Sequence, residues 1–184
     1  MTNLDIARAG MEAVPEVHVL ICDAARWLIE KGEPLWGDEE TSGPGLAHVA
    51  RSGELIIARS DGELCACMYL HNQDRVFWPA ARDSEALYVH RLAVARRFAG
   101  RGISLLMLDW AAREAKRMGR DYLRLDCEPR PKLLALYQHA GFTPVDAAPV
   151  QVGRHFVVRH EKPVGQEIHC AACASARFAS AADP

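Results

Sequence analysis

Between Val14 and Lys31 the apolar residues Val17, Leu20, Ile21, Ala24, Ala25 and Leu28 recur at three- and four-residue spacing, which predicts an amphipathic helix. Gly32 supplies a C-cap and Glu33-Pro34 blocks continuation. Ahead of it, Asp5 to Ala9 reads as a short strand. The stretch Trp36 to Pro44 is polar apart from its tryptophan and reads as a loop, followed by a second short helix from Leu46 to Arg51. Two strand-like runs, Glu54 to Ser60 and Glu63 to Leu70, meet at Asp61-Gly62, a strong hairpin signal. Cys65 and Cys67, two apart on the second run, are expected on one face as packing residues.

Phe77-Trp78-Pro79 falls in a loop, and Glu85 to Val94 is the next strand. Its alternation places Tyr88, His90 and Leu92 on one face and Val89, Arg91 and Ala93 on the other. A helix follows with Leu105, Leu108, Ala112 and Ala115 on its apolar side, and it stops at Gly119. Tyr122 to Cys127 is a strand, Pro131 to Ala140 a helix capped by Gly141, Phe142 opens another strand, and Arg154 to His160 is the last. No internal repeat is visible. The segment 163–184, rich in alanine and serine and without periodicity, is expected to be a disordered tail behind a domain spanning 1–162.

The chain has 184 residues, enough for one domain with a sizeable core. Hydrophobic content of 49% and charged content of 25% are ordinary for a globular protein. No apolar run reaches membrane-span length, and Met1-Thr2-Asn3-Leu4-Asp5 does not open a secretory signal, so the cytosol is the expected compartment. Six cysteines, mostly inside apolar runs, suit reduced thiols better than a disulfide framework. A pI near 6.4 speaks against nucleic acid as the main partner.

Charge changes the picture at one place. Arg91, Arg96, Arg97 and Arg101 fall within eleven residues that hold no acid, although the whole chain carries a formal net charge of -2. They surround Gly100-Arg101-Gly102, a turn between a strand and a helix. Glycines let such a turn close tightly, and the first amides of the helix are free to donate to an anion. A P-loop is excluded because no Gly-Lys-Ser/Thr follows, and a dinucleotide fingerprint lacks its third glycine, where Leu105 stands.

The strand Glu85 to Val94 and this turn resemble motif A of the GNAT superfamily of N-acetyltransferases, whose Q/R-x-x-G-x-G/A turn binds the pyrophosphate of acetyl-CoA. Two registers fit. With the family glycines on Gly102 and Ser104, the leading position is Ala99; with them on Gly100 and Gly102, Arg97 leads. The spacing from Val94 favours the first. The order of elements over residues 4 to 162 also resembles that fold: mixed α/β, with a central, mostly antiparallel sheet flanked by helices and splayed at the cofactor-binding strand. The resemblance implies acetyl-CoA as cosubstrate. It implies contacts from Leu92, Ala93 and Val94, which would bind the pantetheine like an added strand, and from Arg97, Ala99, Gly100, Arg101, Gly102, Ile103 and Ser104 around the phosphates.

Leu136-Tyr137-Gln138-His139-Ala140-Gly141-Phe142 is similar to the family's L-Y-x-x-x-G-F, in which the tyrosine gives a proton to the departing thiolate. Seven residues earlier, where the family commonly has Asn, stands Arg130. His90-Arg91-Leu92-Ala93-Val94 resembles the H-x-L-A-V strand of serotonin N-acetyltransferase, where histidines assist deprotonation of the amine. Glu85 is the competing base, since many members use a glutamate on this strand. His169-Cys170-Ala171-Ala172-Cys173 offers three ligands and no second half at zinc spacing, so no metal is expected. The implied activity is acetyl transfer to a small-molecule or peptide amine by direct attack, without nucleic-acid or membrane partners and with homodimerisation left open. The rival is an acyl-CoA-binding regulatory or interaction module that does not turn over.

Overall fold

The computed structural model describes residues 4–37 and 42–164. The expected tail from residue 165 onward, with His169, Cys170 and Cys173, lies outside the described residues. The elements run β1 (Leu4–Arg8), α1 (Val14–Glu30), α2 (Gly43–Arg51), β2 (Leu55–Ser60), β3 (Glu63–His71), β4 (Ala86–Val94), α3 (Ile103–Arg117), β5 (Tyr122–Cys127), α4 (Pro131–His139), β6 (Thr143–Pro144), β7 (Val150–Val152) and β8 (His155–Pro163). The strands form a mixed, mostly antiparallel sheet in the order β1-β2-β3-β4-β5-β8-β6, with β7 also paired to β8. The chain divides into two compact units; among the described residues the first holds 4–37, 42–69 and 91–107, the second 70–90 and 108–164.

In the first unit, Val17, Leu20 and Ile21 of α1 and Leu46, Val49 and Ala50 of α2 share a core with Leu55, Ile57, Cys67 and Ala93. Helix α2 begins three residues earlier than its apolar spacing predicts, at Gly43. A proline in the first helical turn lacks an amide that would have no acceptor anyway, so Pro44 opens the helix instead of preventing it. The β2–β3 turn is as predicted, with Asp61 at φ 51 and Gly62 at φ 85, the conformation of a tight two-residue hairpin.

One expectation fails here. The register steps from Ala58↔Ala66 to Arg59↔Leu64, which leaves Cys65 as an extra residue on β3. Its thiol donates to the Ala58 carbonyl at 3.2 Å. Leu64 therefore joins Cys67 and Tyr69 in the α1–α2 core, and the bulge ends the simple alternation that would have put Cys65 and Cys67 on one face. Counting by two fails again in β4, where Arg91 has φ 52. A left-handed residue cannot continue the pleat, so the face assigned to Tyr88 and His90 does not extend to Leu92 by counting.

In the second unit, β5 pairs in parallel with Ala86–Val89, the first four residues of the nine-residue β4, and antiparallel with β8. The strand expected after Phe142 is only Thr143–Pro144, and a β7–β8 hairpin through Gly153, at φ 56, was not foreseen. Strand β8 also continues past His160 to Pro163. In this extension Lys162 is fully buried, with its ammonium donating to the Ala140 carbonyl at the end of α4 at 3.1 Å. That carbonyl is one of the helix-terminal acceptors that need a donor.

Candidate functional site: an anion turn and a histidine–tyrosine cluster

After Val94 the Ala95 amide donates to the Cys65 carbonyl at 2.9 Å, and a short 3-10 turn, Arg96–Phe98, buries Phe98. Gly100 and Gly102 then take φ 78 and 75, a region open to glycine and costly for other residues. The amides of Leu105 and Leu106 both donate to the Gly102 carbonyl, at 3.1 and 3.2 Å. Gly102 is thus the residue on which α3 opens, and Ile103 and Ser104 lie in the turn whose amides have no intrahelical acceptor. The first turn of α3 carries no acid to compete with an anion.

The arginines of this stretch divide by partner. Arg96 stacks on Trp27 with 3.6 Å to the ring centroid, and Arg97 forms an ion pair with Glu63. Arg91 lies 5.8 Å from the Trp36 ring, which packs from its loop on the first unit's core. Arg101 lies 5.0 Å from the Phe98 ring and has no carboxylate partner among the described residues. A cavity of about 690 Å³ adjoins the stretch in the first unit; its walls include Leu20, Ala24, Glu63, Val94, Arg96 and Arg97.

In the second unit, Tyr137 projects from α4 with its ring 6.1 Å from those of both Phe142 and His160. Burial raises the pKa of its phenol, and the neighbouring acidic groups Cys127 and Asp126 oppose its ionisation further. The phenol is therefore kept protonated well above neutral pH. Cys127 is pushed up to about 12, first by burial and then by Asp126 and Glu128, so its thiol is no nucleophile at neutral pH. Burial lowers the pKa of His160, whose Nδ1 lies 3.1 Å from the Val158 carbonyl.

Glu85 is held differently from His90. The Glu85 carboxylate accepts from the Arg124 guanidinium at 2.9 Å and the Arg82 amide at 3.2 Å, and the arginine bond holds it below the usual carboxylate range. Arg124 also binds Glu161 at 3.1 Å and lies 4.7 Å from the Trp78 ring. His90 has Nε2 at 3.3 Å from Asp74 Oδ2 and Nδ1 at 3.9 Å from Asp126 Oδ1. Asp74, His90 and Asp126 are also the one group among the described residues with metal-ligand proximity, their ligating atoms lying within 4.8 Å of one another.

The model of the acetyltransferase (GNAT) family matches residues 21–142 of this chain. The uncharacterized N-acetyltransferase YesJ of Bacillus subtilis (strain 168) is 30% identical over 142 residues, 73% of this chain and 78% of that protein. This chain belongs to the GNAT acetyltransferase family. Among solved structures, a GNAT-family acetyltransferase from Listeria monocytogenes 4b F2365 is similar with a TM-score of 0.72 at 23% identity, covering 86% of this chain and 93% of that one. YncA, a putative acetyltransferase from Salmonella typhimurium solved with acetyl-CoA, gives 0.67 at 15% identity, covering 93% and 99%.

In this GNAT chain the predicted residues fall into two groups. Leu92 to Ser104 belong to the first unit, while Glu85, His90 and Tyr137 belong to the second. Within the second, Asp126 links two of them, since it faces His90 and bears on the Tyr137 phenol. Sequence reasoning missed Asp74 and Asp126. Asp126 alternates with Leu125 on a strand that was correctly placed, and that was its only signal. Asp74 sits in a loop with no motif around it, and only the fold brings it to His90.

Proposed function

We propose that this GNAT chain binds acetyl-CoA and transfers its acetyl group to a primary amine by direct attack, with Tyr137 as the acid and His90 as the base. The observation that carries the reading is the turn Gly100-Arg101-Gly102 opening α3, with two positive-φ glycines, no acid in the first helical turn and Arg101 without a carboxylate partner. Backbone amides from Gly102 to Ser104 would receive the pyrophosphate, with Arg101 adding charge. The start of α3 at Ile103 supports the register in which Gly102 and Ser104 stand for the family's small residues and Ala99 for its leading Gln or Arg. Arg97, paired with Glu63, is left a secondary role.

Acyl transfer from a thioester needs a neutral amine, a stabilised oxyanion and a protonated leaving group. The backbone N–H of Val94 is the candidate donor to the acetyl oxygen, and Leu92 and Ala93 would pair with the pantetheine. Tyr137 is protonated at neutral pH and so has a proton to give to the thiolate, although burial makes the phenol a weaker acid than a free one. Cys127 offers no thiolate for a covalent intermediate, in keeping with direct attack. Glu85 is spent on Arg124, so the base falls to His90. Among the described residues no helix is long and apolar enough to cross a membrane, and Cys22, Cys65, Cys67 and Cys127 are free thiols. The thiols support the cytosol as the compartment.

Thermal shift tests the binding step. At a hundredfold excess over Kd, acetyl-CoA stabilises the folded chain by about 2.7 kcal/mol, or roughly 5–11 °C for a domain of this size. An unchanged melting temperature at millimolar acetyl-CoA removes the reading.

A further inference from the structure

His90 lies between two carboxylates that address different ring nitrogens, Asp74 at Nε2 and Asp126 at Nδ1. The Asp74 side chain is 6% exposed. Its Oδ1 accepts the amides of Val76 and Phe77, at 3.1 and 3.0 Å, which pins the carboxylate so that Oδ2 faces the imidazole. Burial pushes the pKa of Asp74 up, but the close approach of His90 and the bond from the Phe77 amide outweigh it and the net shift is downward, so the group is an anion at neutral pH; its Oδ2, 3.3 Å from His90 Nε2, has no other partner among the described residues. The other groups facing this cluster are His71, whose ring is 5.2 Å from that of His90, and Cys127 and Tyr137, which feel the charge of Asp126. A metal ion takes one nitrogen of a given ring, so carboxylates at opposite nitrogens suit proton traffic better than coordination.

We propose that Asp74 is a positioning residue that holds the Nε2 proton of His90, leaving the Nδ1 lone pair beside Asp126 to take a proton from an acceptor amine that arrives as an ammonium. This rests on the reading of His90 as the base. Asp126 supplies the negative charge that draws the ammonium in, and the substrate class is thereby an amine charged at neutral pH. One N–H bond of the ammonium breaks and Nδ1–H forms, the imidazolium being held between the two carboxylates. The freed lone pair forms the C–N bond, the C–S bond breaks, and the thiolate takes the proton of Tyr137. The second amine proton, lost as the amide forms, restores the phenol, and His90 returns its own to solvent.

Asp74→Asn is the discriminating change. The amide oxygen still accepts from Val76 and Phe77, but an NH2 now faces Nε2 and selects the opposite tautomer, removing the lone pair at Nδ1. Long-range ¹H–¹⁵N spectra of the full chain, with His90 assigned through His90→Gln, read this without any ligand. We expect the neutral ring of the wild type to carry its proton on Nε2 and that of Asp74→Asn on Nδ1. A wild-type proton on Nδ1, or a tautomer unmoved by Asp74→Asn, overturns the proposal.

Turnover gives the second arm, read as CoA release from acetyl-CoA with a panel of alkylamines, charged at neutral pH, and aromatic amines, which are neutral. Alkylamines should be the substrates, and Asp74→Asn should lower kcat/KM by about 10²-fold or more. Asp126→Asn should raise KM more than it lowers kcat. The double variant Asp74→Asn/His90→Gln should be no slower than His90→Gln alone, because both act through one nitrogen. Losses that multiply in the double variant, or a preference for the aromatic amines, contradict the proposal. Full activity in His90→Gln defeats the base reading itself, whereas a slow His90→Gln beside a normal Asp74→Asn defeats only the positioning role.

Discussion

In the proposed reaction Tyr137 is the acid. Its phenol is protonated at neutral pH, and Tyr137→Phe keeps the ring against Phe142 and His160 while deleting the proton proposed for the thiolate. We predict that the variant binds acetyl-CoA as the wild type does and turns over roughly 10²–10⁴-fold more slowly. Stopped-flow or steady-state CoA release, alongside the acetyl-CoA thermal shift, checks both halves. Tyr137 and His90 were legible because each sits in a short contiguous pattern, L-Y-x-x-x-G-F and H-x-L-A-V. Asp74 was not, since a carboxylate that reaches a histidine on another element leaves no local trace. Glu85 was legible as a candidate base from its position in the sequence, while Arg124, which holds its carboxylate, comes from β5 and left no local signal.

At the scale of elements, the turn between β4 and α3 is where backbone geometry and charge meet. Gly102→Ala places a Cβ on a residue at φ 75, which costs about 1–2 kcal/mol by itself, and distorts the amides proposed to face phosphate. We predict a lower melting temperature together with an acetyl-CoA Kd raised at least about tenfold. Arg101→Ala should raise Kd with little change in the melting temperature of the free protein, since Arg101 is exposed and its aromatic neighbour is a surface contact. Calorimetric titration with acetyl-CoA separates the two. The hairpin at Asp61-Gly62 and the helices were readable because turn chemistry and the 3.6-residue period are local. The bulge at Cys65 was not, because an inserted residue looks like any other until its cross-strand partner is known, and neither was the left-handed backbone at Arg91, which no glycine marks.

Over the whole molecule, most of the order of strands and helices was recoverable from the chain, and the GNAT resemblance supplied the mixed, mostly antiparallel sheet that order alone does not determine. What it missed lies at the C-terminal edge. There β7 has three residues, and β8 carries the buried Lys162 inside a polar run. The Val164 amide donates to the Asp121 carbonyl at 2.9 Å, so the proposed boundary of the domain moves from Lys162 to Val164. Truncation after Val164 should leave the melting temperature and the acetyl-CoA shift close to those of the full chain, and truncation after Lys162 should lower the former.

Acid sensitivity also belongs to this scale. Asp74, Glu85 and Asp146 all have lowered pKa values in the folded state, so their stabilisation is full above the ordinary carboxylate range and is lost as pH falls through their folded-state values. The melting temperature should be nearly flat above about pH 7, decline gently below about pH 6.5, where the unfolded chain gains a histidine proton that buried His160 resists, and fall steeply below about pH 4. Glu85→Gln should lower stability at neutral pH by about 1–3 kcal/mol and soften that fall. A melting temperature independent of pH down to 3 would contradict the assignment of these ion pairs.

Amine-dependent acetyl transfer with a tyrosine acid is tested most directly by the release of free CoA from acetyl-CoA by the wild type and by Tyr137→Phe across the same panel of amines. We predict release that depends on an added amine in the wild type, and a fall of roughly 10²–10⁴-fold in the variant at saturating acetyl-CoA. Equal turnover by the two proteins, or no release by the wild type with any amine despite binding of acetyl-CoA, would contradict it.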